Sequence, residues 1–305
     1  MTAQQALAER LEARRAWLGA SDLAAILGVS QYANAADVYW RKVAQIDGVE
    51  TKATERGRYA ERSVLDWFED QVGEPLTRDV TVRCDYDPLF VSQLDGQIIA
   101  SGEPVEAKTA ASDDEWGDEY TDQIPDAYVV QAQTQLLCTG AEVCHVPALV
   151  AGFRSLDFRR YVVRRNEAFL EEIVAQGREF WALVEARTPP TNLTPSLETV
   201  KRIRRLPETI VELTDVAAVA WSELEEAKAA AKAANQAKDG AQARVLALLG
   251  DSEAGTLPDG RTLTYLAQNS APSVNHKLLA ANWPEAAEKC ITRGTHRVLR
   301  IKKAA

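Results

Sequence analysis

At 305 residues and 33.5 kDa, the chain is long enough for one enzyme-sized domain with an accessory segment, or for two modest domains. Its 46% hydrophobic and 26% charged residues are ordinary for a soluble globular protein, and no apolar run approaches the roughly 18–20 residues of a membrane helix. Four scattered cysteines without a C-x-x-C exclude a disulfide scaffold, a zinc ribbon or a closely spaced iron–sulfur motif. The net charge of −10 is uneven: 19 basic residues face 32 acidic ones in residues 1–190, against 16 and 13 in residues 191–305. Such acidity disfavours a protein that coats nucleic acid non-specifically. It is compatible with local basic groups on a phosphate path and acids gathered where metal ions sit. The polar opening MTAQQALAERLEARRAW is no signal peptide, so reduced thiols, no membrane association and a cytoplasmic location are expected.

In chain order, residues 4–15 read as a helix. In WLGASDLAAILG, Ser21 stands at an N-cap position before an apolar run. Residues 36–46 and the stretch RGRYAERSVLDWFEDQVG read as amphipathic helices, the second stopped by Gly73. After Pro75, β-branched alternation and Asp-Pro, Asp-Gly and Ser-Gly turns predict strands near 77–84, 89–99 and 103–109. An acidic loop, SDDEWGDEYTDQ, leads to a helix AYVVQAQTQLLCT closed by Gly140, two strands (CHVPALVAG and LDFRRYVVRR), and the long helix NEAFLEEIVAQGREFWALVEA. The Pro- and Thr-rich TPPTNLTPS opens a linker. Beyond it lies an Ala-rich, strongly helical run within 209–249, interrupted at Asp239-Gly240. Two strand-like runs, RTLTYLAQ and THRVLRIKK, surround a helical segment near 275–289. The expected organisation is a core over 1–190, a linker over 191–208 and an accessory region over 209–305.

The segment VSQLDGQIIASGEPVEAKTA carries the most chemistry. Glu106 and Lys108, at i and i+2 of a strand, project from one face. If the strand bearing Asp95 pairs beside them, two carboxylates converge, repel one another and favour a bound divalent cation. A lysine beside them can orient a water or stabilise charge on a phosphate. Glu-x-Lys is also a common solvated cross-strand pattern, so the motif alone leaves both readings open. Glu103, three residues before Glu106, should face the other way. Glu61 can lean from its helix toward the sheet edge, or simply face solvent. Tyr128 and Gln131, at i and i+3, share a helix face; Gln133 and Gln135 are expected to face elsewhere.

Taken in order, Gly19-x-Ser21-Asp22, Gly57-x-x-x-Glu61, Leu94-Asp95-Gly96, Glu106-Ala107-Lys108 and Ile124-Pro125-x-x-Tyr128-x-x-Gln131-x-Gln133 resemble the YqaJ-type viral recombinase nucleases, relatives of phage lambda exonuclease in the PD-(D/E)XK superfamily. The resemblance covers roughly residues 10–190; Leu94 stands where the superfamily name expects proline. It implies an α/β fold with a small mixed central sheet flanked by helices, followed by a helical and short β extension. It implies that Asp95, Glu106 and the Ala107 carbonyl ligate Mg²⁺, with Mn²⁺ able to substitute. Glu61 would complete a second metal site, and Lys108 would position or activate the attacking water. Gln131 and Tyr128 would support the lysine, the water or the phosphate, and Ser21 with Arg14 or Arg15 would hold a DNA 5′ phosphate. The implied activity is a 5′→3′ exonuclease on linear duplex ends. It would leave 3′ overhangs for phage-type recombination in a bacterial host, as a ring of three or four copies with a single-strand annealing protein as partner. An endonuclease on the same scaffold, or a non-catalytic DNA- or protein-binding module, is the alternative.

Overall fold

The computed structural model describes residues 13–44, 52–152, 155–203, 211–269 and 274–290. Two compact units divide the chain, Met1–Glu208 and Thr209–Ala305. The expected helix over 4–15 and the run THRVLRIKK fall almost entirely outside the described residues.

In the first unit a 3-10 turn, Arg14–Ala16, precedes α1 (Ala20–Ile26), α2 (Ala35–Val43) and α3 (Lys52–Val72). The strands β1 (Leu76–Arg83), β2 (Val91–Ile98), β3 (Pro104–Val105) and β4 (Lys108–Ala110) follow. Then come α4 (Asp126–Thr139), β5 (Val143–Ala151), β6 (Leu156–Arg164), α5 (Glu167–Glu185) and the short α6 (Leu197–Arg202). The expected linker thus contains a helix, and it is tied to the core: Asn34 Nδ2 donates to the Thr194 carbonyl at 3.0 Å, and the Ser196 N–H donates to Asp37 Oδ1 at 2.8 Å.

Six strands form one mixed sheet, as the α/β reading requires. β1 and β2 are antiparallel, β2 pairs antiparallel with β3, and β3 and β4 both run parallel to β5, which carries β6 antiparallel on its other edge. Because Val105 lies opposite His145 and Lys108 opposite Ala148, β3 and β4 are one strand with a two-residue break at Glu106-Ala107. The same register brings Ala107 alongside Pro147, which has no N–H to give to a ladder. The local sequence of β5 therefore accounts for the break, and the break frees backbone where the acids stand.

Both faces of the sheet are covered. Leu65 and Phe68 of α3 pack on Ile98 and Val105. On the other face, Ala132 and Leu136 of α4 pack on Cys144, Val146, Ala148 and Tyr161. A further cluster joins α1, α2, α4 and α5 through Leu23, Val38, Tyr39, Val130, Leu137, Ile173 and Phe180, with Phe90 beneath. Gly140 ends α4 at φ 71° and Gly73 follows α3 at the same φ, the left-handed conformation that glycine adopts freely.

The second unit holds α7 (Asp215–Leu249), the hairpin β7 (Ala254–Thr256) and β8 (Thr262–Thr264), α8 (His276–Asn282) and α9 (Pro284–Cys290). The expected interruption at Asp239-Gly240 does not occur: α7 is continuous through it. A helical glycine costs about 1 kcal/mol relative to alanine, too little to break a run this rich in alanine.

Candidate active site

Asp95 lies on β2, whose pairing with β3 sets Gly96 opposite Val105 and carries Asp95 to the level of Glu106. At the strand break the Ala107 N–H, which faces β2, donates to Asp95 Oδ2 at 2.9 Å. Lys108 opens β4 on the same face, and its ammonium donates to Glu106 Oε1 and, at 2.8 Å, to Gln131 Oε1 on α4. The ammonium also sits 4.7 Å from the centre of the Tyr128 ring. The structure thus brings Asp95, Glu106, Ala107, Lys108, Gln131 and Tyr128 together.

Glu61, on α3, joins them through charge. Burial raises its carboxyl above the ordinary value, with Asp79 and Glu106 adding to the effect and Lys108 opposing it. Asp95 is pushed well above the ordinary carboxylate range by burial, then by Glu106 and Glu61, against the pull of Lys108 and the Ala107 N–H. Burial would strip the Lys108 proton, but Glu106 and Asp95 outweigh it and hold the ammonium above its usual value. Acids this crowded bind either protons or a cation.

The donor chemistry fits a hard divalent ion. Mg²⁺ takes one or two carboxylates and completes its shell with water and phosphate oxygens. Asp95 and Glu106 are two carboxylates of that kind, with Glu61 close enough to share their charge. Among the described residues no three His, Cys, Asp or Glu side chains group tightly enough to hold a metal unaided, so substrate oxygens or water must complete any such site.

A cleft of about 180 Å³ opens beside these groups, lined on one wall by Gln93, Asp95, Glu106, Gln131 and Gln135 and on the other by Arg14, Trp17 and Ser21. Arg14 Nη2 donates to Ser21 Oγ at 3.4 Å. Arg15 is outside the lining. Ser21 does not cap α1: the N-cap is Gly19, whose N–H donates to Asp22 Oδ2 at 3.2 Å, and Ser21 stands one residue inside the helix.

Gln135 was expected to face elsewhere, and the structure reverses this. Its Nε2 donates to Glu106 Oε2, one turn beyond Gln131. The i, i+4 spacing from Gln131 is the signal that identifies it. Gln133, as expected, faces away and is satisfied by the Arg164 carbonyl and the Asn166 N–H. Glu103 pairs with His145 at 2.9 Å, beside Phe68 on the opposite face of the sheet. Trp116 pins the acidic loop by packing on Tyr128 and Tyr161.

Part of the chain is similar to known proteins. Residues 9–142 match the YqaJ-like viral recombinase domain. The uncharacterized protein YqaJ of Bacillus subtilis is 27% identical over 180 residues, 57% of this chain and 54% of the relative, so the chain spans about half the length of the curated relative it matches. Among solved structures, an alkaline exonuclease from Laribacter hongkongensis aligns with a TM-score of 0.47 at 20% identity, covering 59% of this chain and 93% of its own. A phage-related exonuclease from Haemophilus somnus 129PT aligns with a TM-score of 0.43 at 12% identity, covering 56% and 96% respectively. Residues 9–142 of this chain are thus similar to the YqaJ-like viral recombinase domain.

Proposed function

We propose that this protein is a metal-dependent deoxyribonuclease that digests linear duplex DNA from its ends. The observation that carries the proposal is a cleft lined by Asp95 and Glu106 together with Arg14 and Ser21, with the Lys108 ammonium paired to Glu106.

Asp95, Glu106 and the Ala107 carbonyl would hold Mg²⁺, or Mn²⁺ in its place, with Glu61 serving a second ion. When bound, such ions polarise the phosphoryl oxygen, make hydroxide available and neutralise the leaving oxygen. Lys108, kept protonated by its acidic neighbours, orients the attacking water and meets the negative charge that grows on the phosphate. Gln131 fixes the ammonium, and Tyr128 lies under it. Arg14 and Ser21 receive the terminal 5′ phosphate, a task suited to the planar two-pronged guanidinium.

The 5′→3′ direction, the 3′ overhangs, the ring of three or four copies and the annealing-protein partner in a bacterial cytoplasm belong to the proposal through the family likeness. No described helix is long and apolar enough to cross a membrane. Digestion of linear and circular duplex with and without Mg²⁺ tests the reading. Release of nucleotides from linear DNA alone supports it, and cleavage of closed circles would replace it with an endonuclease.

A further inference from the structure

Lys42 is a buried cation with no part in the chemistry above. It lies on α2 with its side chain 5% exposed, and all three of its protons are spoken for. It donates to the Arg14 carbonyl at 2.7 Å, to the Trp17 carbonyl at 2.6 Å and to Asp22 Oδ2 at 2.7 Å. Asp22, 6% exposed, also accepts from the Gly19 N–H at 3.2 Å and stands 3.8 Å from the Arg41 guanidinium. One ammonium therefore ties the 3-10 turn, the Trp17 backbone and the first turn of α1 to α2. The Trp17 ring fills the enclosed space, 5.7 Å from the ammonium and 5.8 Å from the Arg14 guanidinium. A Cβ on Gly19 would stand 3.0 Å from that ring, so the segment closes tightly over it.

A buried ion pair adds little net stability compared with an apolar pair of the same volume. An apolar pair could not, however, hold two backbone carbonyls and an N–H in fixed positions. What the three bonds fix is the segment carrying Arg14 toward Ser21 at the mouth of the cleft.

We propose that Lys42 and Asp22 are positioning residues that set Arg14 and Ser21 at the separation needed to read a 5′ terminal phosphate. The inference rests on the nuclease reading above. Loss of the ammonium releases the Arg14 and Trp17 carbonyls together, and Arg14 loses its fixed approach to Ser21. Discrimination between end groups falls, while Asp95, Glu106 and Lys108, held by β2, β4 and α4, stay in place.

The test compares initial rates on linear duplex with 5′-phosphate and 5′-hydroxyl ends, in Mg²⁺, for the full chain and for Lys42→Met and Lys42→Arg. Lys42→Arg keeps the charge and the Asp22 pair, but its planar fork cannot serve three acceptors around one nitrogen, so it covers the case in which Lys42→Met fails to fold. The unaltered protein should favour phosphorylated ends, and the variants should lose that preference by roughly 10- to 100-fold, chiefly through a higher KM on phosphorylated ends. Rates on hydroxyl ends should fall less. A merely structural role would lower both rates equally. A folded Lys42 variant with undiminished preference overturns the positioning role. An unaltered protein that digests both ends equally well removes the phosphate site, and the inference with it. Absence of digestion by the unaltered protein overturns the nuclease reading itself.

Discussion

Gln131 and Gln135, one turn apart on α4, hold the two members of one ion pair: Gln131 accepts from the Lys108 ammonium and Gln135 donates to the Glu106 carboxylate. A helix on one face of the sheet thereby sets the position of both groups at the strand break. Replacing Gln135 with leucine leaves Glu106 Oε2 without its donor. Nuclease activity should fall by roughly 10- to 100-fold, with a rise in the Mg²⁺ concentration needed for half-maximal rate. A Mg²⁺ titration of the variant and the parent checks this, and superimposable curves would show that Gln135 has no part in the site.

Lys108 and Glu106 are 15% and 10% exposed, so each is the other's main compensation for lost water. Lys108→Met should abolish nucleotide release. In metal-free buffer it should also destabilise the fold by about 3–5 kcal/mol, because an unpaired buried charge remains. Adding Glu106→Gln to it should recover most of that stability and none of the activity. Denaturant unfolding of the single and double variants measures the difference. Equal stabilities would mean that the charge left by Lys108→Met is already compensated elsewhere.

Asp95 and Glu61 have carboxyls raised above their ordinary values. The folded protein therefore binds protons that the unfolded chain releases. The stabilising contribution of these acids is complete below the ordinary carboxylate range and is lost as pH climbs through the raised values. In the proposed nuclease a divalent ion would take the place of the protons. Mg²⁺ should raise the melting temperature more at about pH 8 than at about pH 5, where protons already occupy the site. A melt series in Mg²⁺ and in a chelator at both pH values reads this, and a larger rise at the lower pH would contradict the crowding.

Gly177, buried in α5, lies against the underlying strand region. A Cβ there would come within 2.7 Å of the Phe90 ring. Gly177→Ala should lower stability by about 1–3 kcal/mol despite alanine's better helix propensity, since the ring must move. A denaturant midpoint at or above the parent's would show that the ring yields freely.

Much of this was readable in the sequence because it is local. The alternation around Asp95, the i and i+2 placement of Glu106 and Lys108, and the i and i+3 placement of Tyr128 and Gln131 each need only the period of one element. The contribution of Gln135 was not readable in the same way. Its partner is 29 residues away and is set by strand register, and its neighbours give it the look of a core-facing side chain. Ser21 had the right residue type for a cap, but the helix begins earlier than expected, with Gly19 as its N-cap, so Ser21 stands inside it and its hydroxyl accepts from Arg14. The Lys42 clamp depends on a meeting of α2 with a segment 25–28 residues earlier, which no single-element pattern announces. At Asp239-Gly240 a turn signal lost to the alanine on both sides of it.

The most direct test of the central claim, that Asp95, Glu106 and Lys108 form a cation-dependent centre for phosphodiester hydrolysis, is digestion of end-labelled linear duplex DNA by the parent and by Asp95→Asn, with Mg²⁺ and with chelator. Label should be released by the parent in Mg²⁺ alone and not by the variant, although both melt as folded proteins. Equal release by Asp95→Asn, or release that chelator leaves unchanged, would contradict the account.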